Sequence, residues 1–65
     1  MGIGLRAARE KSGKTQAQVA KETDISESHY QNIEYAKNEP GVRTAIRIAD
    51  SVGVKTYDEF RQLFS

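Results

Sequence analysis

The 65-residue chain has no cysteine and no tryptophan, and only one proline and one histidine. Each absence removes a class of chemistry. Without cysteine there is no disulfide framework, no thiolate zinc site and no thiol nucleophile. One histidine does not supply the three protein ligands of the usual catalytic zinc site. No apolar run approaches the roughly 18 residues that a membrane-spanning helix requires, and none has the form of a signal-peptide core. The Met1-Gly2 opening does not make a myristoylation motif, because Arg6 stands where Ser or Thr is needed. A chain of about this size lies at the lower end of what folds without crosslinks. The expectation is one soluble, intracellular domain, too small to be an enzyme.

Charge of one sign is also lacking: ten Lys/Arg face nine Asp/Glu, a net charge of +1. The distribution is uneven. Residues 1–14 carry Arg6, Arg9, Lys11 and Lys14 against Glu10, a net +3. Residues 15–34 carry Lys21 against Glu22, Asp24, Glu27 and Glu34, a net −3. Residues 35–48 return to +2 through Lys37, Arg43 and Arg47 against Glu39. The balance does not announce nucleic acid as a strongly basic domain would, yet local basic patches remain available.

What the sequence does contain is helical punctuation. Ile3, Leu5 and Ala8, with Ala7 beside them, give one face of a first helix over 3–12, and Gly13 takes the position just past its end. Thr15 and Gln18 form a capping-box pair opening a second helix, with Val19 and Ala20 on its buried side. After a tight Thr23-Asp24-Ile25 turn, Ser26 caps a third helix whose inward residues are Tyr30 and Ile33. A polar loop, Lys37 to Gly41, holds the proline. Val42, Ala45, Ile46, Ala49 and Val52 then predict the inner face of a fourth helix, ended by Gly53. Thr56 and Glu59 make a second capping box, with Tyr57, Phe60, Leu63 and Phe64 inside a fifth helix. No segment alternates with period two for long enough to be a strand. The prediction is all-α, five helices around one core.

Other patterns carry less. His29 beside Ser28, with Asp24 nearby, is no hydrolytic triad, because neighbouring helical positions diverge and no oxyanion loop follows. Gly2-x-Gly4 has no preceding strand and no third glycine, so it is not a dinucleotide fingerprint. Asp58-Glu59 places negative charge at the start of the fifth helix, where the dipole favours it.

Two short helices joined by a tight turn, flanked by one helix before and two after, suit DNA. Gly13-Lys14-Thr15-Gln16-Ala17-Gln18-Val19-Ala20 resembles the G-L-T-Q-x-x-L-A opening of a helix-turn-helix. Ile25-Ser26-Glu27-Ser28-His29-Tyr30-Gln31-Asn32-Ile33-Glu34 resembles its V-S-x-S-x-I-x-x-I-E recognition helix, and Pro40 to Gly53 its fourth helix. The chain is thereby similar, over nearly its whole length, to the lambda-repressor-like family of the Cro/C1 or XRE type. The resemblance implies one helix-turn-helix domain over 1–65, with the motif itself at about 15–36. It departs at Thr23 and Asp24 in the turn, at Ala36 where glycine is common, at Lys14 in place of an apolar residue, and at Glu39. Ala36 should cost on the order of 1 kcal/mol if its φ is positive.

By that resemblance Gln16 and the backbone amides beside it meet a phosphate, in keeping with the affinity of helix N-termini for anions. Arg9 and Glu34 match a structural ion pair bridging the first and third helices. With Ser26 capping and Tyr30 and Ile33 inside, the opposite side of the third helix must face the groove. Glu27, Ser28 and Asn32 are the expected sequence readers, with His29, Gln31 and Tyr35 at the margins. Lys37 and Arg43 flank the following loop as phosphate contacts.

The expectation is a sequence-specific transcriptional regulator of repressor type that binds double-stranded DNA. Its Ser26–Tyr35 helix would lie in the major groove, and a weak homodimer would meet a two-fold operator. The dimer would use residues 37–42 and 57–64. No enzyme activity, cofactor, metal, membrane or small-molecule substrate is expected, and the setting would be the cytoplasm of a bacterium or its phage. The chain would be either complete and Cro-like or a piece of a longer regulator. An antitoxin of a toxin–antitoxin pair fits too. So does a protein-interaction module that has lost DNA binding, which the acidic 15–34 segment and Glu39 favour.

Overall fold

A computed structural model describes residues 4–64. Ile3, expected on the first helix, and the Met1-Gly2 opening lie outside them. Five helices follow in order: α1 Gly4–Lys11, α2 Gln16–Glu22, α3 Glu27–Glu34, α4 Val42–Ser51 and α5 Tyr57–Leu63. Among the described residues no strand forms. The architecture is all-α and fits a lambda-repressor-like fold.

The local signals explain the boundaries. Thr15 Oγ1 accepts from Gln18 N at 3.1 Å while Gln18 Oε1 accepts from Thr15 N, a complete capping box. Ser26 Oγ accepts from His29 N at 3.0 Å and starts α3. Thr56 Oγ1 accepts from Glu59 N at 3.2 Å, but the Glu59 carboxylate takes the Thr56 hydroxyl rather than its N–H, so the second box is half closed. Asp24 adopts φ 59°, the left-handed turn that a short polar side chain tolerates. Thr23 is buried beside it, its hydroxyl donating to Val19 O at 2.7 Å.

The core gathers Leu5 and Ala8 of α1, Val19 and Ala20 of α2, Tyr30 and Ile33 of α3, Ile48, Ala49 and Val52 in and after α4, and Leu63 of α5. Ile25, Val54, Phe60 and Phe64 pack around it, the last two rings meeting edge-on at 5.6 Å. Three large residues expected in the core are not there, and Ala7 of α1 is exposed as well. Val42 is 78% exposed, Ile46 56% and Tyr57 73%. On α4 the residues Ile46 and Ile48 flank the Ala45–Ala49 pair on opposite sides, and helical spacing alone does not choose between them. Packing turns Ile48 fully inside instead. Tyr57 begins α5 before the core surface is reached, and Arg61 lies 5.8 Å over its ring.

Lys14, at an apolar position of the pattern, ties distant helix ends together. Its Nζ donates to Glu22 Oε1 at 2.7 Å and to Ser51 O at 2.6 Å, and Ser51 Oγ donates to the same Glu22 oxygen at 2.7 Å. These bonds hold the Glu22 carboxyl below its usual range, the lysine contributing most.

Ala36 has φ 62° immediately after α3. A Cβ in that region costs roughly 1–2 kcal/mol, against the roughly 0.4–1 kcal/mol of unfolded-chain entropy that glycine adds. Ala36→Gly is therefore expected to raise stability by about 0.5–1 kcal/mol, read as a higher urea midpoint at unchanged m-value. A lower midpoint would show that Ala36 is not strained.

Candidate nucleic-acid interface

The helix-turn-helix is set by a polar centre beneath it. Arg9 of α1 donates from Nε to Glu34 Oε1 at 2.9 Å, and the Glu34 side chain has no solvent exposure against 12% for Arg9. Arg9 Nη1 also donates to Lys14 O at 2.9 Å, binding the α1–α2 loop to the same guanidinium. Tyr30 OH reaches Glu34 Oε1 at 3.4 Å, and Gln16 Nε2 donates to Glu34 Oε2. Side chains from three helices thus converge on one carboxylate. The Glu34 hydrogen bond, more than any other cause, raises the Arg9 guanidinium above its ordinary value, and burial chiefly, then the Glu34 charge, raises Tyr30. Among the described residues no buried side-chain nitrogen or oxygen lacks a partner.

The anticipated readers divide into two groups. Glu27, Ser28 and His29 are exposed on the first turn of α3, and Tyr35 is exposed just past its end. Gln31 and Asn32 are half-buried between them. Tyr30 and Ile33 occupy the inner face, so Ser28, Asn32 and Tyr35 fall on the outer side at i, i+4 and i+7. Lys37 and Arg43 are exposed on either side of the Asn38–Gly41 loop, with Glu39 exposed within it.

Gln16 is placed differently from a simple surface glutamine. It is half-buried, with Nε2 engaged by Glu34 and, at 3.4 Å, by Tyr35 OH, while its Oε1 accepts from Gln31 Nε2 at 3.2 Å. Gln31 Nε2 lies 3.5 Å from Glu27 Oε2 as well. The side chain of Gln16 therefore faces the motif's interior. Sequence reasoning missed this chain of amides, because its members lie 15 and 18 positions apart and no periodic signal links them.

The outer side of α4 and the start of α5 form a separate surface. Ile46, Val54, Tyr57 and Phe60 line a groove there, with no residue of α3 in its walls. No helix among the described residues is long and apolar enough to cross a membrane.

Comparison with known proteins agrees with this geometry. The family model described as Helix-turn-helix matches residues 5–60, which takes in most of all five helices and the entire polar centre. No curated protein and no solved structure matches the chain. The capped α2–turn–α3 unit, the exposed polar face of α3 and the family match over most of the chain lead to one conclusion: this protein belongs to the Cro/C1-type (XRE) helix-turn-helix family and is a DNA-binding regulator.

Proposed function

We infer that the domain is a repressor-type transcriptional regulator that reads a specific double-stranded operator with α3 in the major groove. The observation that carries this reading is the polar outer stripe of α3, Glu27, Ser28, Asn32 and Tyr35, held outward by the buried Tyr30 and Ile33 on the other side. Asparagine can hold adenine through its N6 and N7 edge, and a glutamate can accept from cytosine N4. Glu27 also repels misplaced phosphates, which serves discrimination more than affinity. His29 and Gln31 border the stripe, and Lys37 and Arg43 supply positive charge for the flanking backbone. The amides at the start of α2, with Gln16 behind them, take a further phosphate.

One short helix reads only a few base pairs. A second half-site, about one helical turn of DNA away, supplies the remaining information. The domain would therefore act as a weak homodimer, brought together on the operator in the cytoplasm of a bacterium or its phage. The dimer would use the 37–42 loop and the 57–64 end, where Val42 and Tyr57 are large apolar residues exposed in the monomer. The same exposed residues favour a second reading, in which a protein partner such as a toxin covers this surface while α3 still holds DNA.

Asn32→Ala is expected to cost about 1–3 kcal/mol on the preferred operator and almost nothing on random duplex. Lys37→Ala and Arg43→Ala should instead weaken all sequences alike and flatten the salt dependence by about one phosphate's share, roughly 0.9 in the logarithmic slope. Fluorescence anisotropy against both DNAs at several salt concentrations separates the two behaviours. Equal losses for Asn32→Ala on operator and random DNA would remove it from the reading face.

A further inference from the structure

The buried carboxylate of Glu34 dictates which way two glutamines point. An ionised carboxylate offers acceptors only. Its Oε1 takes Arg9 Nε and the Tyr30 hydroxyl, and its Oε2 takes Gln16 Nε2. The Gln16 carboxamide cannot turn over without setting its own oxygen against that anion. Its NH2 group is thus committed to Glu34 and Tyr35 OH, and its oxygen must face Gln31. The same logic then passes to Gln31. Its NH2 serves Gln16 Oε1 and the Glu27 carboxylate, and no donor among the described residues reaches its Oε1. The first two turns of α3 consequently present acceptors: the oxygen of Gln31 and, one turn before it, the Glu27 carboxylate.

We propose that Glu34 is a positioning residue for base recognition, acting through Gln16 to hold Gln31 with its oxygen toward the groove. This rests on the reading of α3 as the groove helix. An acceptor pair matches the exocyclic amines of the major groove, cytosine N4 and adenine N6. It opposes guanine, whose N7 and O6 are both acceptors. The relay converts a charge sealed inside the domain into a sign on its surface. Hydrogen bonds arranged head to tail polarise one another, which strengthens the commitment at each step. A glutamine at position 31 without such a relay could rotate and accept either partner. Ordinary glutamine readers use that freedom.

Glu34→Gln tests the relay directly. The new carboxamide can keep its oxygen on Arg9 and Tyr30 while its NH2 donates to Gln16 Oε1. Gln16 then turns over, its NH2 faces Gln31 Oε1, and the Gln31 NH2 group faces the groove. The 65-residue chain and the variant would each be used to enrich binding sites from a random duplex pool. The ratio of affinities for cytosine against guanine at the base pair facing Gln31 would then be measured for each protein. The wild type is expected to favour cytosine by roughly tenfold or more, the span of one good base contact. Glu34→Gln should bring the ratio to one or invert it.

Gln16→Met supplies a second test at a half-buried helix start, scored on protein shown to be folded by circular dichroism. It leaves Gln31 held only by the longer 3.5 Å contact of its NH2 group with Glu27 Oε2, so the ratio should fall from the wild-type value towards one. A ratio unchanged from wild type in either folded variant overturns the relay, while the enriched operator upholds the DNA reading. Failure of the wild type to enrich any sequence overturns the reading of α3 as the groove helix, and the relay with it.

Discussion

Glu34→Ala is expected to remove about 3–5 kcal/mol of stability, the cost of leaving one partner of a buried ion pair alone. The Arg9 guanidinium would keep its charge with little solvent to receive it, and Gln16 and Tyr30 would lose their acceptor. A domain of this length holds roughly 3–10 kcal/mol in total at ordinary values per residue, so the variant should lose about a third or more of its stability. Circular dichroism during urea titration measures it. The double replacement Arg9→Met with Glu34→Met should recover much of the loss, because two apolar side chains leave no orphan charge. A single-variant loss below about 1 kcal/mol would mean that α1 and α3 are held by apolar contact alone.

Ile48→Ala is the second large effect, expected at about 2–5 kcal/mol from lost burial and the cavity left behind. Ile48 has no exposed surface and sits where α4 meets the core, so little can collapse into the gap. Ile46→Ala, two residues earlier, should change stability by no more than about 0.5 kcal/mol, since more than half of Ile46 is in solvent. Parallel urea titrations compare the two. Equal losses would show that α4 is rotated from the placement described.

That contrast marks how far the sequence could be read. Helix ends were legible because their causes are local: Thr15, Ser26 and Thr56 bond to an N–H three residues on, and Gly13 and Gly53 supply left-handed exits. The inner face of α3 was legible because Tyr30 and Ile33 have no apolar rivals on that helix. The inner face of α4 was not, since Ile46 and Ile48 satisfy helical spacing equally and only the neighbouring helices decide. Arg9 and Glu34 were paired through a family resemblance, which carried a contact across 25 positions that periodicity cannot reach. In the sequence Gln16 and Gln31 point to separate tasks, phosphate and groove. Their shared hydrogen bond depends on the depth of Glu34, and depth is a property of the folded chain.

Lys14 gives the joint between α2 and α4 an unusual character. An apolar residue there would hold the two helix ends by burial, which is indifferent to acid. The lysine makes the joint ionic, with Glu22 held below its ordinary range by Lys14 and then Ser51. A carboxylate lowered in the folded state contributes its full stability above its unfolded value and loses it as pH falls through the lowered one. Protonating Glu22 removes the anion that Lys14 and Ser51 share, while the Lys14 bond to Ser51 O persists. The clasp between the ends of α2 and α4 is therefore one that acid loosens without dissolving the core, and concentrated salt, by screening an exposed pair, loosens it in the same direction.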